Sequence, residues 1–100
     1  MTNKIEHLIM VSNPEEAQRK AFHYLGKDAI LYVSKKKDKK YDIVSPEGKI
    51  ISFGNINYED YTKHKDKDRR RRYLARATNM KGEWKDNPYS ANNLSIHILW

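Results

Sequence analysis

The residues of this chain best equipped for chemistry are its cations and the tyrosines beside them. From Lys63 to Arg72, the cations Lys63, Lys65, Lys67, Arg69, Arg70, Arg71 and Arg72 meet only two acids, Asp66 and Asp68. Guanidinium groups grip carboxylate and phosphate in a planar two-pronged geometry. Each phosphate neutralised releases counterions, so such binding weakens steeply with salt. Lys35, Lys36, Lys37, Lys39 and Lys40 supply a second cationic patch. Tyr58 and Tyr61 stand next to the first patch, where they could stack on unpaired bases. The candidate polyanion-binding set is Lys35, Lys36, Lys37, Lys39, Lys63, Lys65, Arg69, Arg71, Arg72 and Arg76, with Tyr58 and Tyr61 for stacking. A plainer reading stands beside it. Arginine runs on helices commonly pair with nearby Asp and Glu, and lysine-rich hairpin tips discourage edge-to-edge strand pairing. Nothing in the set points to base-specific readout.

Catalytic chemistry has less to work with. His7, His23, His64 and His97 are scattered, and none makes an i, i+4 pair on an expected helix. The four glycines are isolated, so there is no phosphate-cradling loop. Neither a nucleophile elbow nor a paired-carboxylate motif occurs. The chain has no cysteine, which excludes disulfides and thiolate metal sites. His64 lies between Lys63 and Lys65, where like charge disfavours its protonation, and reads as a solvated loop residue. The expectation is a protein that is not an enzyme, with no catalytic residue, no metal site and no cofactor.

Composition bounds the class. One hundred residues make one domain. Twenty Lys and Arg against thirteen Asp and Glu leave a net charge of +7. That balance bears on partners and solubility rather than on fold. Eleven per cent aromatic residues argue for a folded though modest core against the pull of high charge toward disorder. No apolar run approaches the roughly 20 residues of a membrane span. The first residues carry too short an apolar segment, with an acid inside it, for a signal peptide.

The positioning elements follow from local signals. Residues 1–12 hold Ile5, Leu8, Ile9, Met10 and Val11 at mixed spacing, so helix and strand compete. This segment either packs on the domain's own core or becomes ordered on a partner; residues 13–100 form the single small domain. Asn13, Pro14 and Glu16 predict a helix over Pro14 to Leu25, capped by Asn13 and stopped at Gly26. Ala29 to Ser34 reads as a strand, Lys35 to Lys40 as a hairpin loop and Lys40 to Val44 as the next strand. Ser45-Pro46-Glu47-Gly48 has type I turn chemistry, and Lys49 to Phe53 returns as a third strand. Three strands on short turns make an antiparallel meander, which needs a helix over one face; the Pro14 to Leu25 helix is available. Ile56, Tyr58 and Tyr61 are expected to pin the following loop, with a single helical turn opening at Glu59-Asp60. Asp66 or Asp68 starts a basic helix running to about Met80. At 100° per residue, Arg69, Arg72 and Arg76 share one flank, Arg71 points away, and Arg70 falls in the apolar sector and needs a partner. Gly82 ends this helix, and Trp84 and Tyr89 cover the core. Ser90 predicts a short C-terminal helix with Leu94, Ile98 and Leu99 on one face, a strand being the alternative. The fold class is α+β: N-terminal helix, three-stranded antiparallel β-meander, basic helix and short C-terminal helix.

Three blocks in order carry a resemblance: AFHYLGKDAILYVSKKKDKKYDIVSPEGKIISFG, NYEDYTKHKDKDRRRRYLARA and SANNLSIHILW. They resemble a family of small proteins, without established activity, encoded by large DNA viruses and some phages. Its members look like a KKY…NPEGK…HFG segment, a YEDYTKHKD…RR…YLARA segment and an LLW-like end. Here Ile51-Ser52-Phe53-Gly54 stands where His-Phe-Gly is typical. The resemblance spans about residues 21–100 and supplies no catalytic residues. It implies a virion protein, present in the host cytoplasm during assembly. The favoured reading is a non-catalytic structural component, a minor capsid or assembly protein, whose cations and apolar ends dock on acidic surfaces of capsid subunits. The alternative is a genome-associated protein that binds DNA or RNA backbone without sequence preference.

Overall fold

A computed structural model describes residues 3–100. Helix α1 spans Lys4–Val11 and α2 spans Pro14–Leu25. Strands β1 (Tyr32–Val33), β2 (Lys39–Val44) and β3 (Ile50–Asn55) follow. Then come the single turn α3 (Tyr61–His64), the basic helix α4 (Lys67–Thr78) and α5 (Ala91–Leu94), which continues as a π-helical turn over Ser95–Leu99. The strands form one antiparallel sheet in the order β1-β2-β3. The architecture is α+β with the meander that the sequence implies.

The N-terminal segment is a helix, not a strand or a loose tail. Asn3 caps it by accepting from the Glu6 amide, and Leu8 enters the core. Ile5, Ile9 and Met10 stay exposed, which is why the apolar spacing is ambiguous: of the five apolar positions Leu8 is core and Val11 packs against it. Met1 and Thr2 lie outside the described residues. Helix α2 has the expected bounds, with the Asn13 side chain accepting from Glu16 N at 3.3 Å. The Glu16 carboxylate does not complete a capping box; it pairs with Arg19 and Lys65 instead.

The first strand is shorter than Ala29 to Ser34. The Gln18 side chain takes its place in the ladder, donating to Ala29 O (2.7 Å) and accepting from Leu31 N (2.8 Å). In β2, Tyr41 and Ile43 face the hydrophobic core, and Asp42 on the other pleat is buried as well. Its carboxylate accepts from Ser34 Oγ (2.6 Å), Ser52 Oγ (2.5 Å) and Lys35 N (3.2 Å). Burial pushes the Asp42 carboxyl up, but these bonds and the nearby Lys4 charge outweigh it, so its pKa lies below the usual range.

The core joins Leu8, Ala17, Ala21, Tyr41, Ile43, Phe53, Ile56, Leu94, Ile98 and Leu99. The C-terminal helix, not α2, lies directly on β3, and α2 packs on its π-helical part. Leu94, Ile98 and Leu99 all point inward, as their helical spacing required. Trp100 packs within the domain, its ring stacked on Tyr73 at 4.2 Å and 9°. Asn93 ties the preceding loop down by donating to the carbonyls of Trp84, Lys85 and Asn87.

Candidate polyanion-binding cleft

Helix α4 begins at Asp66, whose carboxylate accepts from Asp68 N (2.9 Å) and Arg69 N (3.2 Å). It ends at Thr78, before Met80 and Gly82. There Thr78 Oγ1 and Asn79 Nδ2 donate to the carbonyls of Leu74 and Ala75 at 2.6 and 2.7 Å. Asn92 Nδ2 donates to Ala77 O at 3.0 Å and fixes this end of α4 to the C-terminal helix. Positions 69, 72, 73 and 76 recur at helical spacing along α4 and line one recess, with Met80 just beyond the helix end beside them.

Between α4 and β3 lies a cleft of about 510 Å³. Arg69, Arg72 and Arg76 form one wall, Lys39 and Tyr58 the other, and Phe53, Leu99 and Trp100 contribute to its lining. The shared flank read from the sequence for Arg69, Arg72 and Arg76 is thus the face that meets the cleft. Their charges differ in status. Arg69 Nη1 donates to Glu59 Oε1 at 3.1 Å. Arg72, Arg76 and Lys39 have no carboxylate partner among the described residues.

The other candidates lie elsewhere. Arg71 is on the opposite side of α4, paired with Asp68 at 3.3 Å in a largely exposed contact of small energetic weight. Arg70 pairs with no Asp or Glu among the described residues; its Nε donates to the main-chain oxygen of Trp100 (2.7 Å) and its guanidinium lies over the Tyr61 ring (5.3 Å). Lys65 pairs with Glu16. Lys63 is exposed on α3, and Lys35, Lys36 and Lys37 are exposed on the β1–β2 hairpin. Tyr58 is 66% exposed at the cleft rim and does not pin its loop. Tyr61 packs edge-on to His64 under two cations and is not open to a base.

Lys40 departs most from the sequence reading. It is not part of a cationic patch but lies in the interior. Its side chain is 2% exposed and donates to Asp60 Oδ2 at 3.0 Å. Burial pulls its pKa down, and the Asp60 charge opposes that shift. Asp60 also caps α3, accepting from Thr62 N (3.0 Å) and from the Thr62 hydroxyl. Its backbone amide donates to Val11 O (3.0 Å). Thr62 Oγ1 in turn accepts from Asn13 N (2.9 Å), and Ser12 Oγ joins the Tyr41 hydroxyl (2.7 Å). This polar lock binds the α1–α2 junction, β2 and α3 together. Lys40 stands opposite Gly54 between the rungs Lys39↔Asn55 and Tyr41↔Phe53. A Cβ on Gly54 would sit 3.1 Å from the Lys40 stem and 2.8 Å from Leu99 Cδ1. The Lys-Tyr, Phe-Gly and Tyr-Glu-Asp-Tyr-Thr motifs therefore converge on structure, and they shape the cleft from beneath.

His64 belongs to the same support. Its Nδ1 accepts from Asp66 N at 2.9 Å, so the ring proton sits on Nε2, which is buried without a partner. Burial, then the Arg69 charge, lowers its pKa against the pull of Glu59, Asp66 and Asp60. Sequence reading missed Tyr73, Met80, Asn92 and Trp100 as cleft residues. The helical spacing of Arg69, Arg72, Tyr73 and Arg76 was the available signal. Among the described residues no group of three or more His, Asp or Glu is placed to hold a metal ion. No helix among them is long and apolar enough to cross a membrane.

Residues 29–77 match a family of unknown function, DUF5754. The matched segment contains the whole sheet, the Lys40–Gly54–Asp60–Thr62 lock and all the cleft cations named above. No curated protein and no solved structure matches the chain.

Proposed function

We propose that the protein is a non-catalytic binding component that holds the phosphate backbone of a nucleic acid in the cleft between β3 and α4. The observation that carries this reading is the convergence of Lys39, Arg72 and Arg76 on one recess with none of the three paired to a carboxylate among the described residues, the recess's one acid, Glu59, being taken by Arg69. Like charges gathered along one side of a recess focus their field and attract phosphate more strongly than the same groups scattered over a flat face. The resemblance to proteins of large DNA viruses adds a setting, the genome or the shell of a virus particle, reached through the host cytoplasm.

The test is binding of random-sequence DNA, single-stranded and duplex, at low salt. Arg72→Ala with Arg76→Ala is expected to weaken binding by more than about tenfold, since each charge-assisted contact contributes about 1.5–3 kcal/mol. Arg71→Ala is expected to change little. Failure of both DNA forms to bind removes the reading, and an Arg71 effect equal to that of the pair removes the cleft as the site.

A second reading has its own observation. Ile5, Ile9 and Met10 lie exposed on α1 at a spacing that groups them along the helix. In that reading the protein is a minor structural component whose α1 inserts against a capsid subunit while its cations meet an acidic face. Unchanged incorporation of an Ile9→Ser, Met10→Ser variant into particles would count against it.

A further inference from the structure

We infer that the cleft takes an unpaired nucleic-acid strand, with one base stacked on Tyr58 and the backbone running along Arg72 and Arg76. This inference rests on the phosphate-binding reading and adds to it the form of the ligand. Shape comes first. A duplex is a stiff rod with its phosphates on the outside, too wide to enter a recess of small-molecule size. A recess of about 510 Å³ falls within the roughly 300–1,000 Å³ range of pockets that enclose small molecules. It admits a flexible backbone with a base turned inward rather than a rod.

The distribution of charge points the same way. Arg72 and Arg76 are one helical turn apart, about 6 Å along the axis, a separation that neighbouring phosphates on a strand can match. At the other end of this wall Glu59 holds Arg69 at 3.1 Å, and its carboxylate repels phosphate. The backbone path therefore lies toward Arg72, Arg76 and Lys39.

The aromatic groups complete the site. Tyr58 is on the loop after β3, its amide tied to Asn55 O at 3.3 Å and its ring 66% exposed beside the cations. Met80, 54% exposed, lines the same recess. An exposed ring next to guanidinium groups is the usual platform for an unpaired base, and it accepts any base because each has a π-face. Trp100 is already stacked on Tyr73 and serves as apolar lining.

The test uses the full chain and three probes: labelled oligo-dT of about 12 nucleotides, within single-strand site sizes of roughly 4–16, a duplex of equal length, and inorganic polyphosphate as competitor. Oligo-dT is expected to bind more tightly than duplex. Tyr58→Ala is expected to weaken oligo-dT binding by about tenfold or more, the effect of losing one stacked base. Polyphosphate binding should not change, and Tyr58→Phe should restore oligo-dT binding. Tyr58 is exposed, so the variants should keep the wild-type circular dichroism. If polyphosphate binds through Arg72 and Arg76 but Tyr58→Ala leaves oligo-dT unaffected, or duplex binds better, the strand inference falls and the phosphate reading stands. If neither oligo-dT nor polyphosphate binds, both fall.

Discussion

Substituting Asp60 by Asn should be among the most damaging isosteric changes in this protein. The change keeps an oxygen for Thr62 N but leaves the Lys40 ammonium buried with no counter-charge; its side chain is 2% exposed and has Asp60 Oδ2 at 3.0 Å. Its remaining acceptor is Val11 O at 3.5 Å, too long to compensate. Removing one member of a buried ion pair costs about 3–5 kcal/mol, a large part of the roughly 5–15 kcal/mol that holds a domain folded. The loss should depend on pH in a definite direction. Burial already sets Lys40 below its ordinary value of 10.5, and without Asp60 it falls further. The unfolded chain then binds the proton more tightly than the folded one. Stability of Asp60→Asn should therefore rise with pH between the depressed folded value and 10.5. Lys40→Met combined with Asp60→Asn should recover much of the loss, because no isolated charge remains. Urea unfolding of the four proteins, with slopes compared, measures this directly. A loss under about 1 kcal/mol for Asp60→Asn, or a double variant equal to the sum of the singles, would refute the lock.

Two further outcomes follow from the same geometry. Gly54→Ala should cost about 2–4 kcal/mol in urea unfolding, combining a left-handed φ of +81° with a Cβ 2.8 Å from Leu99 Cδ1. Gly48→Ala, at φ +85° with nothing within 4 Å, should cost only about 1–2 kcal/mol. For His64 the folded pKa lies below the ordinary 6.5, so protonation favours the unfolded chain and breaks the bond from Asp66 N. Thermal stability should decline as pH falls below about 6.5, and His64→Gln, which keeps an acceptor but cannot titrate, should flatten that decline. His97, stacked on Tyr24 and also lowered by burial and by Lys20, adds a slope of the same sign.

Much of the scaffold was legible because its causes are local. Asn13 and Pro14 start α2, the 45–48 turn carries its own residues, and Ser90 starts the C-terminal helix. Helical periodicity also placed Arg69, Arg72 and Arg76 on the flank that proved to face the cleft. What stayed hidden depended on distant partners. Lys40 sits in a run of lysines and reads as solvated, yet its partner lies twenty residues away. Tyr58 and Tyr61 look alike in sequence, but only the second is covered, by cations from α4 and the turn before it. The first strand was overextended because Gln18, a side chain of α2, replaces ladder bonds at Ala29 and Leu31. The arginine run divides between the two readings the sequence allowed. Arg69 and Arg71 have carboxylates of their own, Arg70 has the main-chain oxygen of Trp100, and Arg72 and Arg76 have no ion-pair partner among the described residues.

The most direct test of the cleft is the salt dependence of single-strand binding in wild type and in Arg72→Ala with Arg76→Ala. Each phosphate contact on a single strand contributes about −0.7 to the slope of log affinity against log salt. Removing two should make the slope shallower by about 1.4. An unchanged slope would mean that Arg72 and Arg76 never meet the backbone, and the account of the cleft would be wrong.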